Sequence, residues 1–166
     1  MKTLIVSTQD SKGGASIAAF RLHKSLLNFV GSEIQSSMLV KKKNRSEENI
    51  FSSKSVIDQF SWRAKSFMAS KVNLLQNSEN KVIHSPSFLP CNLHKIINSN
   101  DSEIVNLHWV QNEMLSIESI GRIKKPIVWT LHDCWPFSGS EHYPNELSDK
   151  RYQEGYFKNN KLKSSK

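Results

Sequence analysis

No run in this 166-residue chain is long and apolar enough to cross a membrane, and the stretch after Lys2 is apolar for only a few residues. A signal-peptide core needs roughly 7–15, so a cytoplasmic location is expected. Cysteine is scarce: Cys91 and Cys134 form neither a CxxC pair nor a disulfide framework, and both are expected to be reduced and structural. His84, Cys91 and His94 have no zinc spacing, which argues against a metal site. GxGxxG, GxxxxGK[ST] and GxSxG are all missing, which leaves no dinucleotide fingerprint, P-loop or hydrolase elbow. Asp-x-Asp is missing too, and with it the mark of metal-dependent GT-A sugar transfer.

What remains is one ordinary domain's length, with 37% hydrophobic and 23% charged residues, enough for a modest core. The net charge of +8 is unevenly placed, because residues 150–166 hold six lysines and arginines against Glu154 alone. Without apolar periodicity that stretch reads as a disordered basic tail. It is weak support for nucleic acid as a partner, and none is expected. The ordered domain is expected over residues 1–143 and the tail over 144–166.

Residues 3–7 form a short apolar run, followed by the turn cluster Gln9-Asp-Ser-Lys-Gly-Gly-Ala15 and a helical pattern that Gly31 would stop. Residues 34–40 return to a strand pattern before a basic turn over 41–45. Helical spacing from Lys54 to Gln76 marks the longest amphipathic helix. Residues 92–98 suit a short helix, 103–109 a buried strand, 116–124 a helix and 127–132 another buried strand, with a loop over 133–139. Strands alternating with helices define a doubly wound, mostly parallel α/β sheet, Rossmann-like in class.

In such sheets ligands sit beyond the carboxyl ends of the strands. Three places qualify. Gly13 and Gly14 stand between a strand and a helix, where backbone N–H groups can approach an anion at the positive helix end. A plain helix-entry turn would need the same glycines. His108, followed by Trp109, and His132, followed by Asp133, each close a strand and would set both imidazoles on one rim, able to bind a sugar hydroxyl or move a proton. The loop after His132 carries Trp135, Phe137 and Tyr143 around Ser138 and Gly139, a composition that suits stacking on a sugar ring as well as packing on its own domain.

Val6-Ser-Thr-Gln-Asp-Ser-Lys-Gly-Gly-Ala15, Ala18-Ala-Phe-Arg-Leu-His-Lys-Ser-Leu26, Ile104-Val-Asn-Leu-His-Trp109 and Lys125-Pro-Ile-Val-Trp-Thr-Leu-His-Asp-Cys-Trp-Pro-Phe137 carry a resemblance. Together they resemble the N-terminal halves of bacterial GT-B glycosyltransferases of family 4, in the subgroup associated with colanic acid, O-antigen and capsule assembly. The resemblance spans about residues 1–143. It implies two Rossmann-like domains facing a cleft, of which this chain would be the acceptor-side half, cut off before the donor-binding domain. It further implies that Gly13 and Gly14 approach the donor diphosphate and that His132 contacts the transferred sugar. His132 and Asp133 are then the candidate catalytic pair, and Gly13, Gly14, His108, Trp109, Trp135, Ser138 and Gly139 the candidate binding residues. Family 4 favours retention of configuration. The substrates implied are a nucleotide-sugar and a glycan or lipid-linked acceptor, with neither metal nor other cofactor; Lys54, Arg63, Lys65 and Lys71 beside the apolar stripe of helix 54–76 suit ordinary core packing, the commoner case, or peripheral contact at the inner membrane.

The chain departs from the family in two places. Ser138-Gly-Ser-Glu-His-Tyr143 replaces a Thr-Gly-Gly-Cys-His-Tyr run, and Lys12 stands where relatives often have glycine. Glu146 and Glu154 match the spacing of the family's donor-domain glutamates without their apolar and proline context. The competing reading is a non-catalytic sugar- or nucleotide-binding remnant of a disrupted gene.

Overall fold

A computed structural model describes residues 1–29, 33–52, 56–75, 82–144 and 150–155. Five strands form a single all-parallel sheet: β1 (Lys2–Gln9), β2 (Gln35–Lys42), β3 (Ile50–Phe51), β4 (Ile104–His108) and β5 (Ile127–Thr130), in the order β3-β2-β1-β4-β5. The helices are α1 (Gly14–Asn28), α2 (Val56–Leu75), α3 (Leu93–Ser99), α4 (Ile117–Gly121) and α5 (Arg151–Glu154), with a 3₁₀ turn at Trp135–Phe137. This is a Rossmann-like α/β fold, as the alternation of patterns predicts.

Alternation along β1 builds two cores. Ile5 joins Met38, Val40 and Ile50 beneath Ala19, Phe20, Leu22 and Leu26 of α1. Leu4 and Val6 face the other way, toward Val105, Leu107, Trp62 of α2, Leu93 and Ile97 of α3, and Met114 and Leu115. A period of two puts consecutive β1 side chains on opposite faces, so a strand covered on both sides must be apolar throughout. The expected helix 54–76 is α2, and of its side chains Trp62 and Ala69 are buried while Phe67 and Met68 are exposed.

One expectation needs correction. The run 127–132 was expected to be a buried strand, but β5 is the outer strand: Ile127 and Val128 are 37% and 52% exposed because no described strand pairs beyond them. Of the expected tail, residues 144 and 150–155 are described. Arg151 of α5 is buried and grips Glu141 through two hydrogen bonds of 3.1 and 2.8 Å. The remainder of the expected tail, 145–149 and 156–166, lies outside the described residues, as does the helix stop at Gly31.

Candidate functional site at the sheet's switch point

The chain runs outward from β1 in one direction through β2 and β3, and in the other through β4 and β5. At such a reversal the loops leaving the two central strands part and leave a crevice at their carboxyl ends. A cleft of about 430 Å³ lies there, lined by Thr8 and Gln9 from the end of β1, by Lys12 to Ser16 at the start of α1, and by Trp109, His132, Asp133 and Tyr143.

The α1 side is held rigid but left open. Asp10 is fully buried, and its carboxylate accepts from the Asn44 and Arg45 amides and from Asn44 Nδ2 at 2.9–3.1 Å. Burial works to raise the Asp10 pKa, but these bonds outweigh it and hold the carboxyl below its ordinary value. Arg45 Nε returns a bond to Asp10 O, and Gln9 Nε2 donates to Lys12 O, which pins the loop from both ends. Gly13 then turns the chain into α1 at φ 82°, ψ 151°, a conformation open to glycine alone at low cost. No side chain caps α1 and no acidic residue stands in its first turn. Its first N–H groups and the positive end of its dipole therefore face the cleft. Lys12 adds a cation whose amine has no partner among the described residues.

Opposite stand the two histidines, which the structure brings together. His108 Nδ1 and His132 Nε2 are 3.0 Å apart, with ring centroids at 5.1 Å. His108 is 2% exposed; burial first, and His132 second, push its pKa down to about 4, so it is neutral at pH 7. His108 Nε2 is buried without a partner among the described residues. An orphaned buried N–H is rarer than an orphaned lone pair. This favours the tautomer in which His108 Nδ1–H donates to His132 Nε2. In that tautomer the His132 ring carries its proton on Nδ1, and the residue lines the cleft. His108 is thus a positioning residue rather than a ligand contact.

Asp133 is also a positioning group. Its side chain is 3% exposed; Oδ2 accepts from Trp109 Nε1 at 2.9 Å and from His142 Nδ1 at 2.6 Å, and Oδ1 from the Trp135 amide at 3.1 Å and Gln111 Nε2 at 3.4 Å. Burial tends to raise its pKa, and the His142 bond followed by the others brings it below the ordinary value. The network fixes Trp109, which lines the cleft at φ 46°, a left-handed conformation that costs a bulky residue about 1–3 kcal/mol.

The rest of the loop turns inward. Trp135 is 4% exposed, donates Nε1 to Ser85 O at 2.7 Å and packs near Trp129, while Ser138 is 2% exposed. Neither lines the cleft. Gly139, at φ 65°, serves the turn and is exposed outside it. Sequence reasoning gave no role to Ser85 and His142, which continue the Asp133 chain: His142 Nε2 lies 2.9 Å from Ser85 Oγ. Ser85, His142 and Asp133 repeat the connectivity of a hydrolytic triad. Ser85 is 6% and His142 1% exposed, so the three act as an internal strut.

Among the described residues no group of three or more His, Cys, Asp or Glu side chains could hold a metal ion. No described helix is long and apolar enough to cross a membrane. Compared with protein-family models, curated proteins and solved structures, the chain matches none.

Proposed function

We propose that this chain is the acceptor-side domain of a GT-B glycosyltransferase that moves a sugar from a nucleotide-sugar to a glycan or lipid-linked acceptor in surface polysaccharide assembly. The observation that carries the reading is the cleft at the switch point, with an uncapped helix start and a lysine on one wall and a pre-set histidine on the other. Breaking the bond between sugar and nucleotide places negative charge on the departing diphosphate. The α1 N–H groups and Lys12 are oriented for that charge before it develops, and fixed dipoles in a sheltered site stabilise it without reorganising. His132, held through Nε2, offers Nδ1–H to a hydroxyl of the transferred sugar. Asp133 acts on the reaction only by holding Trp109 and the loop.

In this reading the exposed Phe67 and Met68 on α2, beside Lys65 and Lys71, rest against the inner membrane, and anionic vesicles at low salt test that contact. Calorimetric titration of the chain with uridine- and guanosine-diphosphate sugars tests the main reading. A half-site predicts dissociation constants near or above roughly 1 mM. Micromolar binding by the chain alone would contradict it and favour a self-sufficient nucleotide-binding module.

A further inference from the structure

A second cavity of about 590 Å³ adjoins the first across Thr8, Gln9 and Trp109, which line both. It opens over the carboxyl ends of β1 and β2, where Lys41, Lys42 and Lys43 enter its wall, and among the described residues no carboxylate lines it. Three cations on one concave wall repel one another and set up a positive potential that an anion relieves.

The Lys41 amine is the most telling of the three. It donates to Asn112 O at 2.8 Å and Ser66 Oγ at 3.2 Å, both neutral acceptors, and no carboxylate lies within ion-pair distance among the described residues. Glu113 is felt through space, but its two oxygens accept the Ser87 and Leu89 amides at 2.8 and 3.2 Å. Burial pushes the Lys41 pKa down to about 8, the mark of an ammonium with too little counter-charge. An ammonium has three donors, and two are engaged. Lys42 is exposed, and its amine has no partner among the described residues, whereas Lys43 reaches Glu47 O at 2.9 Å. Two indoles, Trp62 and Trp109, complete the lining, and aromatic rings beside hydrogen-bonding groups suit the apolar face of a sugar.

We infer that this second cavity receives an acceptor sugar bearing a negative group, phosphate or carboxylate, held by Lys41 and Lys42 against Trp109, with its accepting hydroxyl turned across the Thr8–Gln9 rim toward His132. The assignment rests on reading the first cleft as the side of the donor diphosphate. A neutral acceptor would leave the Lys41 ammonium half-buried without a counter-charge, so the site selects by charge as well as by shape.

Amide and indole resonances of the isotope-labelled chain, titrated separately with glucuronic acid, glucose 6-phosphate, glucose and a uridine-diphosphate sugar, test this. One or both anionic sugars should shift the Lys41–Lys43 amides and the Trp109 indole N–H, at concentrations at least tenfold below those glucose requires; which one responds separates carboxylate from phosphate. Lys42→Gln, an exposed change that spares folding, should weaken that response about tenfold, the scale of one charge-assisted hydrogen bond, and Lys12→Gln should leave it unchanged. Equal response to glucose, no response to either anion, or shifts confined to Gly13 and Gly14 would overturn the inference. If Gly13 and Gly14 respond to the nucleotide-sugar while Lys41–Lys43 ignore the anionic sugars, this inference alone fails. The reverse pattern overturns the donor reading, and the acceptor role with it, leaving only an anionic-sugar site.

Discussion

The start of α1 and the loop after β5 face each other across one cleft, and both are rich in residues that suit ligand binding, yet they use their polar groups in opposite ways. The loop turns its groups inward: the Asp133 side chain, His142, Trp135 and Ser138 are all buried, and both Asp133 carboxylate oxygens accept from the protein. The α1 entrance leaves its N–H groups uncapped and Lys12 unpaired among the described residues. Ligand-binding capacity lies in polar groups the fold has positioned but not satisfied, and composition alone does not separate those from the satisfied ones. His132 is the point of contact between the two regimes, with one ring nitrogen engaged by His108 while the residue lines the cleft.

The largest expected effect breaks the inward side. Asp133→Asn keeps the shape but removes the charge that four donors converge on, so stability should fall by roughly 3–5 kcal/mol in urea unfolding, the scale of weakening several hydrogen bonds to one buried carboxylate at once. An unchanged midpoint would show that the network bears no load. Because the folded Asp133 pKa is depressed, its contribution is present above the unfolded value of 3.8 and is lost as pH falls through the folded one.

Next in size is the acid response of His108. With a folded pKa of about 4 against an ordinary 6.5, the unfolded chain binds the extra proton in that interval, so stability should rise with pH from about 4 to 6.5 and level off above. The full change is on the order of 3 kcal/mol. His108→Phe should remove most of the slope and leave the smaller part due to His23 and His84, whose pKa values burial also lowers; an undiminished slope would move the titration to another group.

His132→Ala sharpens the comparison from the cleft side. It leaves His108 Nδ1 without its partner and should cost about 1–2 kcal/mol of stability. In a protein completed by a donor-binding domain it should lower transfer roughly 10²-fold, the scale of losing a positioned catalytic group. Loss of melting temperature with near-normal turnover would make His132 structural. Smallest is Gly13→Ala, where nothing lies within 4 Å of the added Cβ and only the backbone at φ 82° resists. A cost of about 1–2 kcal/mol is expected from thermal unfolding, and a neutral result would mean that the turn adapts.

Much of the fold was legible in the sequence because its long elements carry strong periods. β1, β2, β4, α1, α2 and α3 fall within a few residues of their predicted places. β3 was missed because two residues have no period, and its identity comes from pairing Ile50 and Phe51 with Met38 and Leu39. The exposure of β5 was missed because an apolar run does not state whether a neighbour covers it. At the site, Gly13, Gly14, Trp109, His132 and Asp133 meet in the cleft as strand-end logic predicts, with His108 one hydrogen bond behind. Trp135 and Ser138 do not, since a loop's composition is the same whichever way its side chains turn. The Ser85–His142 link spans 57 positions, and no local pattern could signal it.

The central claim is that the open side of the cleft exists to hold a diphosphate, and the Gly14, Ala15 and Ser16 amides report on it directly. Titrating the labelled chain with a uridine-diphosphate sugar while following these amides and the His132 ring should give saturable shifts there, weakened by Lys12→Gln and by raised salt. The Trp135 and Ser138 amides, inside the satisfied loop, should stay in place. Shifts at Trp135 and Ser138 with none at Gly14–Ser16 would contradict the account.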